Sequence, residues 1–300
     1  MVQLSTAFEQ GFDPVAISTP SEGKWPFAYV NEAFTRVTGY LPTDVVGQTW
    51  DSLVADPRDR VRLVDIRSAL FSGQQVRTEL SFRTKDGRAG IFDVQIQPIR
   101  DVVTEEATSI VAMFRDVTAI RQREQALIFE AEHDTLTALY NRRYCERILA
   151  TAISMTRERP SHALIFADLD GFKDVNDRLG HEAGDQVLLG TARAFQSVLF
   201  QTDVLARWGG DEFTALLFHC TFENAVKTAN EMARALAQSP DRAGTTVSIG
   251  VVEVRAGESV ADLVRRADRA CYLAKAAGRD QVYAAPGADP ERAMPRHEER

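Results

Sequence analysis

Cysteine is scarce in this sequence: Cys145, Cys220 and Cys271 are the only three in 300 residues, odd in number and far apart. They match neither a zinc-ligand spacing nor a disulfide framework and read as buried or incidental thiols. No apolar run approaches the roughly 18–20 residues that a membrane helix needs. The opening MVQLSTAFEQ lacks the basic and apolar regions of an export signal, so the expectation is a cytoplasmic chain with no membrane partner. Positive charge is in deficit too, with 35 Lys and Arg against 43 Asp and Glu, a net charge of −8. That balance argues against a nucleic-acid partner. It leaves room for a nucleotide held by a few local cations and a metal.

What is present suits a soluble globular protein, with 44% hydrophobic and 26% charged residues. Three hundred residues exceed one ordinary core, which predicts two domains. Over the first ~118 residues short strand-like and helix-like pieces alternate. Val15–Ser18 and Phe27–Val30 read as strands around a Pro/Gly-rich turn. Asn31 can cap a short helix from Glu32 to Val37 that stops at Gly39. The segment from Arg77 to Arg83 alternates at the strand period, and the turn Lys85-Asp86-Gly87-Arg88 leads into Ile91–Ile96 as a hairpin. A last strand, Ser109 to Phe114, completes an antiparallel set. Val117 to Glu132 has no Gly or Pro, and Ile120 and Leu127 lie a heptad apart. It reads as a helical connector able to pair with its copy.

From His133 the pattern changes to long helices alternating with strands, which predicts a sheet with helices packed on it. Helices are expected over Asn141–Arg157, Gly184–Leu199, Phe222–Gln238 and Val260–Ala277. Ala163 to Ala167 is the continuous apolar run of a buried central strand. Two short strands lie within Val204–Phe218, and another strand runs from Thr245 to Val254. Two acidic elements then stand out: Asp168-Leu169-Asp170 at the end of the apolar strand, and Asp211-Glu212 inside a Gly209-Gly210 turn. Strand alternation sends Asp168 and Asp170 to one face. Gathered carboxylates repel unless a cation sits between them, and hard oxygen ligands suit Mg²⁺. The paired glycines let a phosphate chain approach the backbone. Taken alone, Asp168 and Asp170 also fit a solvated loop or a cap.

Those elements do not stand alone. His133-Asp134-Thr135-Leu136-Thr137, Asp168-Leu169-Asp170-Gly171-Phe172-Lys173 with Asn176, Gly180-His181-Glu182-Ala183-Gly184-Asp185, Arg207-Trp208-Gly209-Gly210-Asp211-Glu212-Phe213, Ser248-Ile249-Gly250, and Lys275 with Arg279 follow in order. In this series residues 133–283 resemble the GGDEF family of diguanylate cyclases, which make cyclic di-GMP from two GTP. The resemblance implies Mg²⁺, two ions per site, on Asp168, the Leu169 carbonyl, Asp211 and Glu212. It implies Asp211 as acceptor of the ribose 3′-hydroxyl proton and Lys173 as stabiliser of the triphosphate. Asn176 and Asp185, with His181 and Phe172 nearby, would read guanine. Gly209 and Gly210 would pass the phosphates, and Lys275 and Arg279 would hold their terminal end. Each role has a plainer rival. Asp170 reads as a cap of the following turn and Asp134 with Arg143 as an ion pair. Asp268 reads as a helix tether, Trp208 as a packing aromatic, and His181 could equally pack between elements. The family's product-inhibition motif, Arg-x-x-Asp, is here Phe200-Gln201-Thr202-Asp203, and Phe lacks the guanidinium fork, so no product-inhibition site is expected.

Asn31 to Tyr40, Lys85-Asp86-Gly87 and Phe114-Arg115-Asp116-Val117-Thr118 together resemble a PAS domain. No His or Cys precedes His133, which removes a His- or Cys-ligated haem and a cysteinyl flavin adduct. Non-covalent flavin, a small metabolite or no ligand stay open, and Trp25 and Trp50 read as core aromatics. The implied fold class is α/β (α+β). A PAS sensor occupies 1–118 as an antiparallel sheet with helices, a helical linker 119–132, and the GGDEF domain 133–285. A disordered tail is expected over 286–300. The expected function is a PAS-regulated diguanylate cyclase that takes GTP and acts as a homodimer. The alternative is a non-catalytic GGDEF domain that binds GTP and signals by contact.

Overall fold

The computed structural model describes residues 11, 13–21, 24–101, 103–104, 107–156 and 162–285. The expected tail after residue 285 and the proline expected to close the helix before residue 163 lie outside them. Contacts divide the chain into two units, Met1–Ala126 and Leu127–Arg300.

The first unit contains β1 (Val15–Ser18), β2 (Phe27–Val30), α1 (Glu32–Thr38), α2 (Pro42–Val45), α3 (Pro57–Phe71), β3 (Val76–Arg83), β4 (Ala89–Arg100) and β5 (Ala107–Asp116). Its sheet has the order β2-β1-β5-β4-β3, antiparallel throughout. Local chemistry sets the first helix. The Asn31 side chain accepts from the Phe34 N–H at 2.9 Å and also from Val15 N–H. Gly39 closes the helix in the left-handed region at φ 78°. Alternation puts Leu80, Phe82, Phe92, Val94, Ile96, Ile110, Ala112 and Phe114 on one buried face, packed against Phe34, Leu63, Ile66 and Leu70 of the helices. Trp50 stacks between Phe27 and Phe114, with centroids 5.3 and 5.4 Å away, and donates to Ser18 Oγ at 3.1 Å. Both Trp25 and Trp50 are core aromatics. The cavity beside them, between α3 and the sheet, measures about 20 Å³, room for a water rather than an organic ligand.

Helix α4 (Thr118–Glu132) follows and contains no buried residue. Its start is tied to the first unit by Ile91 N–H donating to Thr118 Oγ1 at 2.8 Å and by the Arg121–Glu79 ion pair. Ile120 and Leu127 are each 58% exposed, so the heptad pair has an open face. No helix among the described residues is long and apolar enough to cross a membrane.

The second unit contains β6 (Tyr140–Asn141), α5 (Arg142–Met155), β7 (Ala163–Asp170), α6 (Phe172–Leu179), α7 (His181–Gln196), β8 (Val204–Gly209), β9 (Glu212–Leu217), α8 (Phe222–Gln238), β10 (Thr246–Glu253), α9 (Val260–Ala276) and β11 (Val282–Ala285). The sheet order is β11-β10-β7-β9-β8-β6, with β10–β11 and β6–β8 parallel. Central β7 splits its side chains between two cores. Ile165, Ala167 and Leu169 join Val187, Phe195 and Met232 of α7 and α8. Leu164 and Phe166 join Cys145 and Leu149 of α5 and Leu263 and Ala270 of α9.

Two expected boundaries are corrected in this unit, and one helix is new. Strand β7 continues beyond Ala167 through both acids to Asp170, because β10 pairs with it along its full length. Helix α7 starts at His181 rather than Gly184, and α6 forms directly after Gly171, which takes φ 74°.

Candidate active site

The site forms where β7, the β8–β9 hairpin, the start of α6 and the end of α9 meet. Across the β7–β9 register Asp168 faces Glu212. The hairpin turns in two residues, Gly210 and Asp211, with Gly210 at φ 43° and Gly209 paired to Glu212. The Leu169 N–H donates to the Asp211 carbonyl at 3.2 Å, which ties the turn to β7. Asp168, Asp211 and Glu212 are therefore neighbours, held by backbone pairing that spends none of their carboxylates.

Arg207 adds the second tie, and no role for it was read from the sequence. Its guanidinium donates to the Gly210 carbonyl at 2.9 and 2.7 Å and to Asp134 at 3.2 Å. Asp134 thus pairs with Arg207 and not with Arg143, correcting the expected pair. The Asp134 carboxylate also caps its own turn through Thr137. Burial works to raise its pKa, but Thr137 and Arg207 outweigh this and hold it below the usual value.

Helix α9 closes the site from the other side. Gly250 has no side chain, and a Cβ there would lie 2.4 Å from the Ala267 carbonyl and from Cys271 N. That absence lets α9 lie against β10. Lys275, one turn further on, reaches Asp168 at 2.6 Å. Burial drives the Asp168 carboxyl up, Lys275 opposes it, and Asp211 and Asp170 add to the rise. Glu212 is raised in the same way by burial, then by Asp168, Asp268 and Asp211. Two carboxylates pushed upward by burial and by one another are a set of hard oxygen donors to which a divalent cation is the natural complement. They do not form a closed cage: no group of three or more His, Cys, Asp or Glu able to hold a metal is found among the described residues. Lys275 supplies the countercharge at Asp168.

Asn176 and Gly184 are in close approach, because a Cβ on Gly184 would meet Asn176 Oδ1 at 2.0 Å and Phe172 Cζ at 3.3 Å. Glycine there lets Asn176 and Phe172 of α6 pack against α7 at the position just before Asp185. Lys173, His181 and Asp185 are exposed. His181 opens α7 and does not pack between elements. Arg279 is 65% exposed and lies 3.9 Å from Asp170. Asp170 is a buried acceptor for Ser248, Thr246 and the Asp280 N–H. It caps no following turn, which corrects that expectation.

Trp208 is 8% exposed, edge-on to Phe166 and covered by the Arg142 guanidinium, a packing aromatic as read. A pocket of about 610 Å³ beside Glu212 is walled by Trp208, Phe166, Arg142 and Asp268. Exposed Asp268 bears on Glu212 through its charge and tethers no helix by any bond among the described residues. Cys145 and Cys271 are buried thiols, pushed up by burial to about 11 and about 12.

Comparison with known proteins agrees with this geometry. The family model described as diguanylate cyclase, GGDEF domain, matches residues 131–281, and a PAS domain model matches 13–119. The probable diguanylate cyclase DgcE of Escherichia coli K12 is 36% identical over 230 residues, 73% of this chain and 20% of DgcE. Diguanylate cyclase TpbB of Pseudomonas aeruginosa is 36% identical over 210 residues, 67% of this chain and 47% of TpbB. The chain thus spans between a fifth and about half the length of these curated relatives. Among solved structures, the coiled coil and GGDEF domain of DgcB from Caulobacter crescentus, in complex with c-di-GMP, superposes with a TM-score of 0.53. It has 30% identity and covers 56% of this chain and 93% of that one. SiaD from Pseudomonas aeruginosa, in complex with its activator SiaC, gives a TM-score of 0.51 at 36% identity, over 56% of this chain and 66% of SiaD. From residue 131 to 281 this chain belongs to the GGDEF family of diguanylate cyclases, and a PAS domain precedes that region.

Proposed function

We propose that the chain condenses two GTP molecules into cyclic di-GMP and two diphosphates, and that its PAS unit regulates the reaction. The observation that carries this is the meeting of Asp168, Glu212 and Lys275 beside a side-chain-free Gly209-Gly210 turn. When bound, Mg²⁺ supplies Lewis-acid charge to the phosphates and to the attacking oxygen, with Asp168, the Leu169 carbonyl, Asp211 and Glu212 as its holders. Asp185 accepts from the guanine N1–H and amino group, Asn176 bonds the same base edge, and adenine offers the wrong pattern to such a pair. Lys173, Lys275 and Arg279 neutralise the triphosphate.

Asp211 accepts the proton of the ribose 3′-hydroxyl. The freed oxygen bonds to the α-phosphorus of the second GTP, the bond from that phosphorus to the β-phosphate oxygen breaks, and diphosphate departs. A second identical step closes the ring. One such site holds one GTP, so two protomers face each other, and the open apolar face of α4 gives them a means to pair. The test is synthesis from GTP at several protein concentrations. Specific activity should rise with concentration, and ATP should give no product. Intact GTP binding with no product at any concentration would favour the GTP-binding, non-catalytic alternative.

A further inference from the structure

Asp170 ends β7 and is 7% exposed. Its carboxylate accepts from Ser248 Oγ at 2.9 and 3.1 Å and from Thr246 Oγ1 at 3.0 Å. It also accepts from the Asp280 N–H at 3.2 Å, and Arg279 Nε lies 3.9 Å away. The two hydroxyls come from β10, where Thr246 is the register partner of Asp170. The other two groups come from the loop that follows α9.

That loop runs through three consecutive left-handed residues, Gly278 at φ 125°, Arg279 at 61° and Asp280 at 49°. Arg and Asp hold such a conformation only where their surroundings fix it. The first fixing contact is at the helix end, where Arg279 N–H donates to the Ala274 carbonyl at 3.2 Å. The second is the Asp170 carboxylate. Strand β7 therefore meets the cationic end of α9 at two points: Asp168 at Lys275 and Asp170 at the Arg279–Asp280 backbone. With its oxygens engaged by two hydroxyls and an amide, Asp170 is built to hold this loop.

We propose that Asp170 is a positioning residue for the reaction, a latch that fixes the Arg279–Asp280 backbone and thereby places Arg279 for the terminal phosphates of the bound nucleotide. This rests on the reading of the site as a GTP site. Binding of 3′-deoxy-GTP with Mg²⁺ to the full chain tests it, since that nucleotide lacks the attacking hydroxyl and is not consumed. Asp170→Ala should weaken binding about tenfold, the size of a lost charge-assisted contact. Asp170→Asn keeps an acceptor for the Asp280 N–H and should stay within about threefold of wild type. Arg279→Ala added to Asp170→Ala should cost nothing further, because both remove the same contact with phosphate. Should Asp170→Ala fail to fold, Ser248→Ala removes one hydroxyl from the latch and should give the same loss at smaller size. Wild-type affinity in Asp170→Ala, or losses that multiply in the double variant, would overturn the latch. Failure of the wild type itself to bind 3′-deoxy-GTP would overturn the GTP-site reading and the latch with it.

Discussion

Arg207 holds Asp134 and the Gly210 carbonyl with one guanidinium, at 3.2 Å on one side and 2.7 Å on the other. The turn that carries Asp211 is thereby braced against the segment where the second unit begins.

This brace gives the first prediction. A lysine cannot reproduce the fork, because it offers one point charge where two acceptors must be reached at fixed angles. Arg207→Lys should lower kcat/KM by about 100-fold while costing on the order of 1–3 kcal/mol in stability. Steady-state kinetics alongside urea unfolding separates the two effects. Near-normal turnover in a folded Arg207→Lys protein would contradict the bracing role.

Gly250 gives the second. A methyl group there must displace the backbone of α9 at Ala267 and Cys271, and Lys275 moves with the helix. Gly250→Ala should destabilise the second unit by about 1–3 kcal/mol, the usual cost of overpacking. It should also weaken GTP binding. Calorimetric melting and nucleotide titration read both, and an unshifted melt would show that the helix has slack.

The local elements were legible because their signals are local. The Asn31 cap, the Gly39 stop, the apolar run of β7 and the glycine turn each declare themselves within a few residues. The brace between Asp134 and Arg207 was not, since 73 positions separate its partners and Arg143 stood nearer in the chain. Helix α6 has a weak local signal because Asn176, Asp174 and Asp177 are poor helix formers. It is held instead by Gly171 before it and by Val175 and Phe172 packing inward. Strands β6 and β11, of two and four residues, are set by parallel pairing with the distant strands β8 and β10. Asp170 reads as a turn cap in the sequence because the hydroxyls that donate to it lie on a strand more than 70 positions away.

A third prediction concerns acid. His162 is fully buried, its Nδ1 accepts from the His219 N–H at 3.3 Å, and its Nε2 has no partner among the described residues. Burial, with His219 second, lowers its pKa below 6.5. The unfolded chain therefore binds the proton more readily than the folded one. The stability from neutral His162 is fully present above about pH 6.5 and is lost as pH falls below it and through the lowered folded value. Denaturant midpoints followed from about pH 7.5 down to about pH 5 should fall less steeply in His162→Phe than in wild type. Parallel slopes would remove His162 from the account.

Feedback supplies the fourth. Phe200 is 79% exposed, and Asp203 is already engaged by the Phe200 and Phe218 N–H groups. Cyclic di-GMP should bind this surface weakly, and Phe200→Arg should tighten binding by about tenfold or more. Titration calorimetry on both proteins decides it, and tight binding by the wild type would refute this reading of the surface.

The most direct test of the central claim is product formation from GTP and Mg²⁺ by the wild type and by Asp211→Asn, with product separated by chromatography. Asp211→Asn keeps the turn but cannot accept the 3′-hydroxyl proton. Cyclic di-GMP is expected from the wild type, with a loss of at least about 1,000-fold in the variant and the fold intact. No cyclic di-GMP from the wild type, or equal synthesis by Asp211→Asn, would contradict it.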